Sequence, residues 1–286
     1  ASDLEGKLKV LDNNLRADVQ LKYNFKNIGD KLVASINMLQ FNPEATHLIN
    51  NYANNILSGK FFVKINELSP TPSGIVKIHD FSMKENDAKY GFDSLMLSST
   101  KVKDKIYTTI TSDLLDAHVS GNVDMIDIPR YFYNFLKRQV PVLPSVFGNH
   151  VIEKNKYANF DVDIKQTDLL EHLIKTPIHF IEMPNFGGFF NTATNDVRIT
   201  AVLPQFTLNG SPYKEGSLFI SNHGDSLSLL GQITKAFSHN DVKFVLNAEA
   251  YHDAVLSQLE WKMLSAGGTQ GFVKAQSQFA KGEDGE

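Results

Sequence analysis

The chain has 286 residues and a net charge of −4, from 28 Lys and Arg against 32 Asp and Glu. This balance leaves no basic excess and argues against a dedicated nucleic-acid binder. The absence of cysteine excludes a disulfide framework, a thiolate metal site and a Cys nucleophile.

With 42% apolar residues, 20 Phe and 9 Tyr, the composition supports a sizeable core and favours strands over helical bundles. No run of 18 apolar residues is present that would cross a membrane as a helix. Starting at Ala1 without a signal peptide, the chain reads as a mature or excised piece of a larger protein.

In chain order, Leu8–Val10 and a turn at Asp12-Asn13-Asn14 lead into the strongest local signal. From Leu15 to Phe25, apolar residues (Leu15, Ala17, Val19, Leu21, Tyr23, Phe25) alternate strictly with polar ones. Side chains of a strand point alternately to its two faces, so this is a strand with one apolar face. Leu32, Ala34, Ile36 and Met38 repeat the pattern. Asn42-Pro43 opens a candidate helix around Ala45–Tyr52, and the Pro-rich 69–74 stretch is a rigid loop between strands. Asp104–Ile110 echoes Asp30–Ile36.

The best helix runs from Asp127 to Arg138, with Asp127 as cap, Pro129 in the first turn and Ile128, Tyr131, Phe132, Phe135 and Leu136 at helical spacing. Pro141 and Pro144 stop it, and Pro141–Asn149 marks a candidate subdivision. Phe160, Val162 and Ile164 alternate with Asp161, Asp163 and Lys165. A second helix is expected from Thr167 to Ile174, with Thr167 as cap. Asn185–Phe190 reads as a flexible aromatic loop. Val197–Leu203 is a strand, Asn209-Gly210 is a turn between 206–208 and 218–220, and Leu259, Trp261 and Met263 share a strand face. The expected fold is therefore mostly β: an extended antiparallel, curled, groove-like sheet with two or three short helices. It forms one module over residues 1–280, with a frayed tail at 281–286.

Motifs for chemistry are incomplete. Gly148-Asn149-His150 matches part of a two-metal phosphoesterase signature, but no Asp-x-His accompanies it, so that activity is a remote alternative. The nine His residues are scattered, and no nucleophile elbow or phosphate-cradling glycine pattern is present. Asn209-Gly210-Ser211 fits a glycosylation acceptor by chance, and Arg130, Lys137 and Arg138 read as a solvated helix face. The expectation is no enzyme, no catalytic residue, no metal and no cofactor.

Ser112-Asp113-Leu114-Leu115-Asp116-Ala117-His118-Val119-Ser120-Gly121, with the helix at Ile128–Leu136 and Gln139-Val140-Pro141 after it, resembles the large envelope proteins of the TamB type (translocation and assembly module) in the AsmA-like superfamily. Those proteins carry a strand ending in Ser-Asp-x-x-Asp-Ala-x-x-x-Gly and then a short amphipathic helix. The resemblance implies an interior fragment of a periplasmic protein anchored in the inner membrane through residues outside this chain. It implies a groove with an apolar lining, phospholipid acyl chains as ligand, and a BamA-like outer-membrane barrel as partner of regions outside this chain. It also implies a role in phospholipid transport or outer-membrane protein assembly. The family has no catalytic residues to carry over. The candidate lipid-binding face comprises Val19, Leu21, Tyr23, Ala34, Ile36, Met38, Phe160, Val162 and Ile164. The rival class is a β-rich cell-surface adhesion or interaction domain.

Overall fold

The computed structural model describes residues 3–26, 30–46, 55–67, 72–140, 143, 146, 153–174, 177–223, 226–238, 240–251 and 254–278. Its strands in chain order are β1 (Asp3–Leu11), β2 (Leu15–Asn24), β3 (Leu32–Phe41), β4 (Asn55–Glu67), β5 (Ser73–Glu85), β6 (Ala88–Val102), β7 (Lys105–Ser112) and β8 (Leu115–Gly121). A 3-10 turn, Met125–Asp127, and helix α1 (Ile128–Gln139) come after them. Next come β9 (Tyr157–Ile164), helix α2 (Asp168–Ile174), β10 (Ile178–Phe180), β11 (Asn185–Asn191), β12 (Asp196–Leu208) and β13 (Ser211–His223). The last strands are β14 (Ser226–Lys235), β15 (Val242–Tyr251), β16 (Ala254–Met263) and β17 (Gln270–Gln278). The chain is thus mostly β and its strand registers are antiparallel, as the alternation predicts. The backbone groups into two compact units, Ala1–His118 with Lys165–Leu173, and Val119–Ile164 with Ile174–Glu286.

In the first unit β1 to β7 pair in sequence order as a meander. Local turn chemistry sets the registers. Asp12 Oδ1 accepts the Asn14 N–H at 2.8 Å, and the Asp12 N–H donates to the Leu15 carbonyl at 3.0 Å. The β5–β6 and β6–β7 turns have two residues each, with Asn86 (φ 53°) and Lys103 (φ 56°) in the left-handed region. Against one end of this meander lies α2, whose Leu169 packs on Met83 and Leu114, with Leu57, Phe81, Tyr90 and Phe92 around them. His172 on the same helix stacks on Tyr90 at 4.2 Å and reaches Glu85 Oε2 at 3.3 Å.

In the second unit the order is β9, β11, β12, β13, β14, β15, β16, β17, with β10 pairing the far end of β12. Helix α1 presents Ile128, Tyr131, Phe132 and Phe135 at the i, i+3, i+4, i+7 positions of one face. That face is buried on Ala158, Phe190, Val197, Ile220, Leu227 and Ala250. The Phe190 ring is fully enclosed, stacked on Tyr131 at 4.8 Å and met edge-on by Phe132 at 5.4 Å.

Several local expectations change. β2 ends at Asn24, and Phe25 lies beyond it with its ring edge-on to Tyr23. Asp127 makes no side-chain cap; its carboxylate instead meets Arg130 Nη2 at 3.4 Å, while Pro129 takes its expected place in the first turn. The 185–190 stretch is no loop but β11, a strand between β9 and β12. Its glycines make room: a Cβ on Gly188 would stand 2.5 Å from the Arg198 carbonyl oxygen and 2.8 Å from the Phe160 ring. The Asn209-Gly210 turn is a two-residue hairpin with both residues at positive φ, which closes Leu208 directly on Ser211. Residues 47–52 of the third expected helix, the tail at 281–286, Gly148-Asn149-His150 and most of the 141–149 stretch lie outside the described residues.

Candidate functional site

The first unit's registers bring its apolar alternations onto one face. One row runs Gly6, Leu21, Ala34, Val63, Val76, Leu97, Ile110 across all seven strands. The neighbouring row is Leu8, Val19, Ile36, Phe61, Ile78, Leu95. At about 4.8 Å between strands the longer row spans roughly 29 Å. The opposite face carries Lys7, Gln20, Ser35, Lys22, Lys64 and Lys77, and there Glu5 pairs with Lys22 at 2.8 Å. That ammonium donates to the Glu5 carboxylate and holds it below its ordinary pKa, while the Lys22 amine is raised.

The apolar rows are not covered as a core would be. Ala34 is buried, but Val19, Ile36, Met38, Phe61 and Val63 are only half-buried. Leu21 is 37% exposed, and Leu8 on β1 is 61% exposed. Among the described residues, helix α2 packs on Leu57, Met83 and Tyr90 at one end of the meander.

The second unit has the same design. A row runs Val162, Phe186, Ala201, Leu218, Gly231, Leu246, Leu259, Val273 across eight strands. Helix α1 covers the part of this face around Phe190 and Ile220. Beyond it Leu246, Leu259 and Val273 remain 37%, 38% and 56% exposed.

Of the nine predicted lipid-facing residues, Val19, Leu21, Tyr23, Ala34, Ile36 and Met38 therefore share one face of β2 and β3. Phe160, Val162 and Ile164 share a face of β9 in the second unit. Phe160 lies beneath α1, its ring 5.4 Å from Phe132, so it serves the packed core. Sequence reasoning missed the contributions of β4 to β6. There Phe61-Phe62-Val63 and Ile75-Val76 put apolar residues on both faces and blur the alternation.

The Ser-Asp-x-x-Asp-Ala-x-x-x-Gly pattern has a structural basis at each fixed position. Ser112 Oγ accepts the N–H groups of Leu114 and Leu115 and donates to the Leu115 carbonyl, closing the turn after β7. Asp113 accepts from the backbone N–H groups of Asp93 and Ser94 at 2.6 and 2.9 Å. Partial burial pushes its carboxyl pKa up, but these donors and the Ser94 hydroxyl outweigh that and hold it below the ordinary value. Asp116 meets Lys165 Nζ at 2.7 Å, and Ala117 is buried. Gly121 passes so close to β9 that a Cβ would stand 2.2 Å from the Tyr157 carbonyl oxygen. Next to it Asn122 Oδ1 accepts the Tyr157 N–H, and its Nδ2 donates to the Asn155 carbonyl.

Among the described residues no group of three His, Asp or Glu is placed to hold a metal ion, and no helix is long and apolar enough to cross a membrane. No family model, no curated protein and no solved structure matches the chain.

Proposed function

We infer that the chain is a non-enzymatic, TamB-like periplasmic module that shields phospholipid acyl chains in support of envelope biogenesis. The reading rests on one observation: a row in register across seven strands whose apolar side chains, Ala34 apart, stay partly accessible to water. An acyl chain is bound by area removed from water rather than by directed bonds, so such a face suffices without a marked polar residue. A row of about 29 Å is long enough to lie along a fatty chain. In this reading the full-length protein is anchored in the inner membrane, and a BamA-like barrel meets it through regions outside this chain.

A photo-crosslinking amino acid at Ile36 or Val162, irradiated in cells, tests the reading. Capture of phospholipid is the expected result. Failure at Val19, Leu21, Ile36, Met38 and Val162 alike, in a protein shown to be folded, would leave the face as ordinary structure and favour an interaction domain.

A further inference from the structure

The face of the second unit's sheet that carries Arg198, Thr200, Asn247 and Glu249 lies opposite the one α1 covers, and strand alternation predicts it to be polar. In one region it is mixed. Phe219, Leu230, Asn247, Gln258 and Lys274 form a row in register across β13 to β17. The adjacent row on the same face is Ser228, Glu249, Leu256, Gln276. Together they line an open depression of about 630 Å³, a size typical of small-ligand sites.

The lining selects by chemistry. Glu249 and Lys274 in the lining, with Glu260 beside Gln258 and Arg198 beside Phe219, balance in charge and leave no net charge to attract an ion. The amides of Asn247, Gln258 and Gln276 combine donors with an acceptor, the pattern that satisfies hydroxyl or acetamido groups. An acyl chain laid here would strip water from those amides without replacing its hydrogen bonds. The apolar element is a small platform, with Phe219 38% and Leu230 46% exposed. The platform is held: the Arg198 guanidinium lies 5.7 Å from the Phe219 ring centre and 5.4 Å from that of Phe189. Gln258 is oriented as well, donating to Glu260 Oε1 at 2.5 Å.

A neutral ligand with a ring of hydroxyls and one apolar C–H face fits this combination. We propose that the depression binds a neutral oligosaccharide, a sugar ring stacking on Phe219 while Asn247 and Gln258 hydrogen-bond its hydroxyl or acetamido groups. The five strands span roughly 19 Å, room for several sugar rings in line. This site is separate from the apolar face and does not depend on the acyl-chain reading.

The test is calorimetric titration of the full chain with chitotetraose and with cellotetraose. Saturable binding of either is expected. Phe219→Ala and Asn247→Ala should each weaken it at least tenfold in a chain that keeps its strand circular dichroism, and Asn247→Ala should also leave the melting temperature nearly unchanged, because that side chain is exposed. Absence of saturable binding to both sugars at millimolar concentration would overturn the proposal, as would binding that neither substitution alters. Stronger binding to heparin that Asn247→Ala or Phe219→Ala abolishes would also overturn it, since a site without net charge does not favour a polyanion.

Discussion

Replacing Phe132 by alanine tests whether α1 is held by the sheet. A helix of 12 residues is marginal by itself in water, so its stability must come from its packed face. Phe132 is 8% exposed and meets the rings of Phe160 and Phe190 edge-on, each at 5.4 Å. Burial of such a side chain contributes about 1.5–3 kcal/mol, and each aromatic pair adds about 0.5–1.5 kcal/mol. The expected loss is about 3–5 kcal/mol, the usual range for Phe→Ala in a core. Trp261, the single tryptophan, sits in the same unit and reports on its unfolding by fluorescence. Urea titrations should show the midpoint falling at unchanged slope, and thermal scans a drop of roughly 6–20 °C. Ile126→Ala, at a side chain 83% exposed, is the control and should change stability by less than about 0.5 kcal/mol. A Phe132→Ala loss below about 1 kcal/mol would refute the packing argument and leave the aromatic face of α1 free for a membrane or partner.

Gly188→Ala should cost about 1–3 kcal/mol, because its Cβ would meet the Arg198 carbonyl and the Phe160 ring. Gly187→Ala, whose nearest neighbours are side-chain oxygens of Thr200 and Asp161 at 3.2 and 3.3 Å, should cost less, and equal losses in urea titrations would contradict the geometry. Leu21→Lys should change stability by less than about 1 kcal/mol, since water already reaches that face; a core-sized loss by the same measurement would mean the face is covered. The depressed pKa of Asp113 stabilises the fold fully above the ordinary carboxylate value of about 3.9, and that contribution is lost as pH falls through the lower folded value. Melting curves of Asp113→Asn should therefore depend less on pH below about 4 than the parent's, and an identical acid slope would remove Asp113 from the account.

The strands that were legible in the sequence are those with one polar and one apolar face. β2 and β9 alternate cleanly because one side of each carries charged and amide residues and the other apolar ones, and the period of two follows directly. α1 was legible for the matching reason: aromatic and aliphatic residues at helical spacing around a first-turn proline. β11 was not, because Gly187-Gly188 between phenylalanines reads locally as a turn. Its glycines answer to a ring on the neighbouring strand, a contact between residues far apart in the chain. The apolar face was half legible. Alternation identified the residues of β2 and β3, whereas its continuation through β4 to β7 depends on registers set by turns at Asn86 and Lys103.

The two units show why alternation alone does not distinguish a core from an open surface. β2 with β3 and β9 with β11 carry equivalent apolar rows, yet Phe190 is fully enclosed and Leu21 is not. The difference lies in the helix each unit supplies. The rows around Phe190 are met by a helix with three aromatic rings on one face, enough apolar surface to displace water from several strands. The seven-residue α2 brings Leu169 as the one buried side chain among its described residues, and it covers only the end of the meander near Met83. An apolar sheet face is closed when the chain supplies an amphipathic element with comparable apolar area, and it stays open when the supply falls short. The decisive sequence information for the open face is therefore the short helix, with one imidazole as its only ring, rather than the strands themselves. Lengthening the apolar stripe of α2 would be the way to convert that face into a core.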